Sequence, residues 1–206
     1  MKKKVPLSFI VGVLLIAVFE VFAQEQAEGP RYKDGDFWQF RATERNWFAS
    51  STAALIGDFE VSYSEGKPKV FKLEGGGKVE WPYDTGAELR RMLNIKSSYE
   101  YLRFPLFMGQ NWRGSYTTTL RGARPQRYTR NFENRVTGIE EVSTPAGTFR
   151  GFKIEREAWS GQARRWLTYY YSPLTRSIVK WSYYEENQGS RCCEREIDLI
   201  KFGSAR

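Results

Sequence analysis

The chemistry open to this chain is narrow, because none of its 206 residues is a histidine. That removes the commonest general base and zinc ligand, and with them every Ser–His or Cys–His arrangement. A serine–lysine pair remains on paper, since Ser64-x-x-Lys67 and Ser177-x-x-Lys180 both match S-x-x-K. That chemistry places the serine at a helix start, with the lysine one turn later on the same face. Here the first match falls in a turn and the second in a strand, where residues three apart point to opposite faces. Neither is expected to react. Glu74-Gly75-Gly76-Gly77-Lys78-Val79 lacks the spacing and the Ser/Thr of a phosphate loop and reads as a hairpin turn. Asp34-Gly35-Asp36 is only a fragment of a calcium loop. Glycosidase chemistry needs two carboxylates across a cleft, and no pair stands out. Glu194, Glu196 and Asp198 alternate along what reads as the wet face of a strand. No catalytic constellation, metal site or cofactor motif is recognised.

The two cysteines, Cys192 and Cys193, are adjacent. Neighbouring Cα atoms lie about 3.8 Å apart, below the usual disulfide span. The options are a vicinal disulfide, a bond to another chain, or two thiols of which one is buried. Unpaired or intermolecular cysteines are favoured, and redox catalysis is not, because the two-residue spacer of thiol oxidoreductases is absent.

Two sets of residues are candidates for binding. Arg113, Arg121, Arg124, Arg127 and Arg135 share an outward face with Ser115, Thr117, Thr119 and Asn131 along a hairpin over 112–136. Guanidinium forks and hydroxyls suit phosphate or carboxylate; an ordinary solvated sheet face is the competing reading. On the inward side, Arg130 and Asn134 fall in phase with Tyr128 and Phe132. A dry core rejects such groups unless they are paired, whereas a concave surface or small cavity lined by aromatic rings accepts them. Alternatively the strand twists and Arg130 reaches water, its stem lying on Tyr128.

The elements that must carry these residues are mostly strands. Short aromatic and β-branched runs alternate with Gly- and Pro-bearing turns from Gly35 onward, the mark of antiparallel sheet. Trp112, Tyr116 and Leu120 share one strand face, and Tyr128, Phe132 and Val136 another. Val142-Ser-Thr-Pro-Ala-Gly-Thr-Phe149 is a turn between two alternating runs: Pro145 presets φ, and Gly147 accepts a positive φ. After it Phe152, Ile154 and Ala158 alternate with Lys153, Glu155 and Glu157. Ile197, Leu199 and Phe202 are expected to close the sheet. One helix of about three turns is expected near residues 85–96, where Thr85 and Glu88 have capping-box spacing ahead of Ala87, Leu89, Met92, Leu93 and Lys96. The fold class is therefore mainly β: a single antiparallel, strongly curved sheet, an open or half barrel, with one short helix.

Four pieces of this pattern resemble a group of small secreted bacterial β-rich proteins whose domain family has no assigned function. They are Gly35-Asp36-Phe37-Trp38, the Phe104–Trp112 segment, the Val142–Phe149 turn, and Tyr170-Tyr171-Ser172-Pro173 leading to Val179-Lys180. The resemblance implies an exported antiparallel β domain across most of residues 35–202. It departs from the pattern where a glycine usually stands near position 176; Thr175 and Arg176 are there instead. No functional residue is carried over.

Residues 1–23 have the layout of a cleaved signal peptide: Lys2–Lys4, an apolar run from Val5, and small Ala23 at the end. The apolar run is shorter than the roughly 20 residues of a membrane span. Residues 24–33 read as a flexible lead-in and residues 34–206 as a single β-rich domain. Past the leader the chain carries 29 basic and 23 acidic residues, a net +6. A periplasmic or secreted destination makes an anionic lipid headgroup, an acidic glycan or an envelope protein the natural partner, and nucleic acid not. The leading expectation is a non-catalytic envelope protein binding an amphipathic or anionic component on a curved sheet. A structural or assembly protein acting through sheet edges is the alternative, and a carboxylate-dependent hydrolase the third.

Overall fold

The computed structural model describes residues 25–45, 56–81, 89, 92–93, 100–120, 126–187 and 190–204. The leader, Arg121, Arg124 and most of the segment expected to be helical lie outside these residues. The side chains of Tyr128, Cys192 and Cys193 do too. Of that segment, Leu89, Met92 and Leu93 are described and buried.

Twelve strands are formed by the described residues: β1 (Gln26–Ala27), β2 (Asp36–Arg45), β3 (Gly57–Ser64), β4 (Lys67–Glu74), β5 (Gly77–Glu80), β6 (Leu106–Phe107), β7 (Asn111–Leu120), β8 (Gln126–Thr144), β9 (Gly147–Ser160), β10 (Ala163–Ser172), β11 (Ser177–Asn187) and β12 (Ser190–Ser204). Ten of them make one antiparallel sheet in the order β5-β4-β3-β2-β12-β11-β10-β9-β8-β7, and β1 pairs with β6. The sheet does not close, so β5 and β7 are its edges.

Period-two alternation decides which face is which. Across the strands one row reads Val136–Ile154–Tyr169–Trp181–Ile197–Ala42, each residue opposite the next, and all six are buried. Residues from both halves of the sheet join Leu89, Met92, Leu93, Leu102 and Leu106 in a single apolar cluster. The inner face of the sheet therefore packs against these described residues. Phe202 departs from the expectation. A bulge between Leu199 and Lys201 interrupts the alternation, and the Phe202 ring is 36% exposed, edge-on to Phe149 at 5.8 Å.

The turns follow their chemistry. Gly75 and Gly76 both take positive φ between β4 and β5, as a two-residue primed hairpin turn requires, which accounts for the run of glycines. In the Thr144–Gly147 turn Ala146 N–H donates to Thr144 Oγ1 and to Leu199 O, each at 3.2 Å, so this turn is docked onto β12. Residues 25–33, expected to be a loose lead-in, carry β1 and are anchored further on. Ala27 is buried, Arg150 pairs with Glu25 at 2.6 Å, and Tyr32 Oη donates to Leu93 O and Arg176 O. Polar sequence hides this anchoring because a two-residue strand pairing, one ion pair and one hydroxyl carry most of it.

Candidate functional site

Cross-strand register gathers an arginine cluster on the inner face. One inner row runs Trp112–Asn134–Arg156–Leu167–Tyr183–Arg195, and the next Gly114–Phe132–Ala158–Arg165–Glu185. Arg130, opposite Tyr116, stands beside them. Arg130, Asn134, Arg156 and Arg195 are all buried, at 4%, 0%, 3% and 6% exposure. Arg165 is the member nearest solvent, with a side chain 29% exposed.

Glu185 sits among these guanidinium groups, and Glu44 stands opposite Arg195 in the strand register. Glu185 accepts from Arg165 Nε at 2.7 Å and from Tyr183 Oη at 2.5 Å, and Arg130 Nη2 lies 3.7 Å away. Burial pushes the Glu185 carboxyl up, but Arg165, the Tyr183 hydroxyl and Arg130 outweigh it, and the net shift is down. Arg156 lies within aromatic rings: its Cζ is 3.9 Å from the Phe132 centroid, 4.7 Å from Tyr101 and 5.7 Å from Tyr116. A planar, weakly hydrated guanidinium is suited to stacking on aromatic faces in this way. Tyr169 Oη donates to Tyr101 O at 2.6 Å and meets Asn134 Oδ1 at 2.9 Å. Asn134 Nδ2 is buried and has no acceptor among the described residues. The inward phase expected for Arg130 and Asn134 is what the sheet shows. Arg156, Arg165, Arg195 and Glu185 are the members that strand-by-strand reading missed.

The outward arginines are differently placed. Arg113 and Arg135 both turn to Glu133, at 3.0 and 3.8 Å, and are largely exposed. Arg127 is exposed on the same face. The structure therefore joins two of these candidates through one carboxylate.

Two grooves mark the outer face. Rows there run Glu133–Glu157–Trp166–Tyr184–Glu194 and Arg135–Glu155–Thr168–Ser182–Glu196–Thr43. Trp166 and Tyr184 stack at 4.8 Å with 15° between planes. A groove of about 390 Å³ reaches this pair from the β8–β9 side, and a hollow of about 220 Å³ from the β12 side.

Two of the carboxylates named for chemistry hold backbone turns in place. Asp34 Oδ1 accepts from Gly66 N at 3.1 Å, and Asp36 is enclosed by Lys33 N, Arg176 and Ser204. Ser64 and Lys67 face each other across a two-residue turn. No group of three or more potential metal-ligating side chains occurs among the described residues. No helix among them is long and apolar enough to cross a membrane.

No family model matches the chain, and no curated protein does. Among solved structures the chain is similar to a Bacteroides fragilis protein described as exported and of YmcC-like fold. Identity there is 12%, over 87% of this chain and 100% of that one, with a TM-score of 0.41. It is also similar to the hypothetical lipoprotein YmcC of Escherichia coli, with 10% identity over 82% and 86% of the two chains and a TM-score of 0.43.

Proposed function

We infer that the protein is an exported, non-catalytic envelope protein that binds an anionic, amphipathic ligand at the arginine end of its inner face. One observation carries this reading: four arginines from β8, β9, β10 and β12 share one end of the inner face with tyrosine and phenylalanine rings. Guanidinium forks take a phosphate or carboxylate head with charge-assisted, two-pronged hydrogen bonds. Asn134 Nδ2 adds a neutral donor, and the rings around Arg156 suit an acyl or other apolar portion.

Native mass spectrometry of the mature protein, purified gently from its own envelope, tests the reading. A non-polypeptide adduct that is lost on denaturation supports it. In parallel, phosphatidylglycerol vesicles should bind and phosphatidylcholine vesicles should not, with Arg165→Ala weakening binding roughly tenfold, the worth of one charge-assisted hydrogen bond. A bare protein indifferent to both vesicles overturns it.

The assembly alternative draws on a separate observation, the unclosed sheet with the ten-residue β7 at one edge. Strand addition there would satisfy backbone groups of a partner chain. A proline in β7 that abolishes co-purification of another polypeptide would favour it.

A further inference from the structure

We propose that the outer groove beside Trp166 is a separate site for a neutral saccharide, a chain of hexopyranose rings laid across β9, β10 and β11. A pyranose ring presents C–H groups on its faces and hydroxyls round its rim. It therefore needs a fixed aromatic face with hydrogen-bond acceptors set at the edge of that face.

Trp166 supplies the face. The indole stacks on Tyr184 at 4.8 Å, which holds the ring in place, and the groove opens between this pair and residues of β8 and β9. The acceptors are Glu133, Glu155 and Glu157 in the groove wall. Each is steadied by a cation: Glu157 by Arg164, Glu133 by Arg113 at 3.0 Å, and Glu155 by Lys153 at 3.4 Å. A carboxylate has about four lone-pair sites, so one ion pair leaves acceptors for ligand hydroxyls. Arg135 and Thr168 add donors. The volume of about 390 Å³ lies within the range of small-ligand sites. Beyond the stacked pair, the hollow lined by Thr43, Ser182 and Glu196 continues the same chemistry, which suits a ligand of several rings.

Charge selects among ligands. The three carboxylates already hold cations, so an acidic glycan would have to displace Glu157, Glu133 or Glu155 from Arg164, Arg113 or Lys153. A basic peptide would have to displace Arg164, Arg113 and Lys153 from carboxylates they already hold. A neutral sugar does neither.

Titration calorimetry of the mature protein with maltohexaose, cellohexaose and chitohexaose, alongside hexalysine and oligogalacturonate, tests the site. At least one neutral hexasaccharide should bind, and Trp166→Ala should weaken it about tenfold, as expected for a lost aromatic platform. Trp166→Phe should recover part of that loss, and Glu157→Gln should weaken binding about threefold, so the test survives if Trp166→Ala fails to fold. Arg165→Ala should leave saccharide binding unchanged, which separates this site from the arginine cluster. Binding of hexalysine or oligogalacturonate alone, no binding at all, or binding indifferent to both Trp166→Phe and Glu157→Gln overturns the proposal.

Discussion

Arg176 Nη1 donates to Asp36 Oδ2 at 2.7 Å, joining the turn between β10 and β11 to the start of β2 across 140 positions of sequence. The same nitrogen donates to Arg31 O at 2.7 Å, and the guanidinium lies 5.8 Å from the Trp38 ring centroid. Trp38 Nε1 in turn donates to Thr175 O at 2.7 Å. Arg176 has φ +60, the left-handed region where glycine is at ease. The side chain's contacts offset a backbone penalty of about 1 kcal/mol.

Replacing Arg176 with glycine sets these terms against each other. The backbone relaxes, but the buried Asp36 loses its cation, and hydrogen bonds to charged groups are worth roughly 1.5–3 kcal/mol. Net destabilisation of about 1–2 kcal/mol is expected by urea denaturation. In a double-mutant cycle with Asp36→Asn the two losses should fall well short of additive. Additive losses would show that the pair is not coupled.

Acid dependence follows from the same carboxylate. Burial pushes the Asp36 carboxyl up, yet hydrogen bonds from Arg176, Ser204 and the Lys33 N–H outweigh it and hold it below its usual range. A depressed folded-state value gives stability that is complete above the unfolded value, about 3.9, and is lost as pH falls through the folded one. The urea midpoint should therefore stay level from pH 7 to about 5 and decline below about 4. Asp36→Asn should begin lower at pH 7 and decline less in acid. Glu185, shifted in the same direction, supplies the residual decline.

Asp198 carries the opposite sign. Burial and the neighbouring charge of Glu196 raise its carboxyl despite Lys180, whose Nζ stands 3.7 Å away. A raised value means that the folded chain binds the proton more readily than the unfolded one, so the ionised side chain costs stability at neutral pH. Asp198→Asn should raise the melting temperature at pH 7, and the gain should shrink as pH falls toward the carboxylate range. A lowered melting temperature at pH 7 would contradict this assignment.

Sequence made the faces legible and left the assembly of the site obscure. Arg130 and Asn134 could be assigned inward because Phe132 and Val136 fix the phase of their strand. The same phase was available for Arg156, which lies between Ile154 and Ala158, and for Arg195, two before Ile197. What one strand cannot show is that Arg130 and Glu185, 55 positions apart, end 3.7 Å from each other. That follows from register, which the hairpin turns set jointly across the four strands β8 to β11. The outer groove was hidden for the same reason. Trp166, Tyr184 and Glu157 sit on three strands and become neighbours only through pairing.

Gly114 offers the sharpest test of how the arginine cluster is built. It lies opposite Phe132, and a Cβ placed on it would meet Phe132 Cζ at 2.6 Å. The Phe132 ring is thus caught between the bare backbone of Gly114 and the Arg156 guanidinium 3.9 Å from its centroid. An added methyl must push the ring toward the arginine, and overpacking of this kind costs about 1–3 kcal/mol. Gly114→Ala should therefore lower stability by that amount and also weaken phosphatidylglycerol binding, although residue 114 bears no polar side chain. Combining it with Phe132→Leu, which frees the space, should recover stability while leaving Arg156 without its ring. Full recovery of lipid binding in that double variant would show that the aromatic seat of Arg156 contributes nothing to the ligand site.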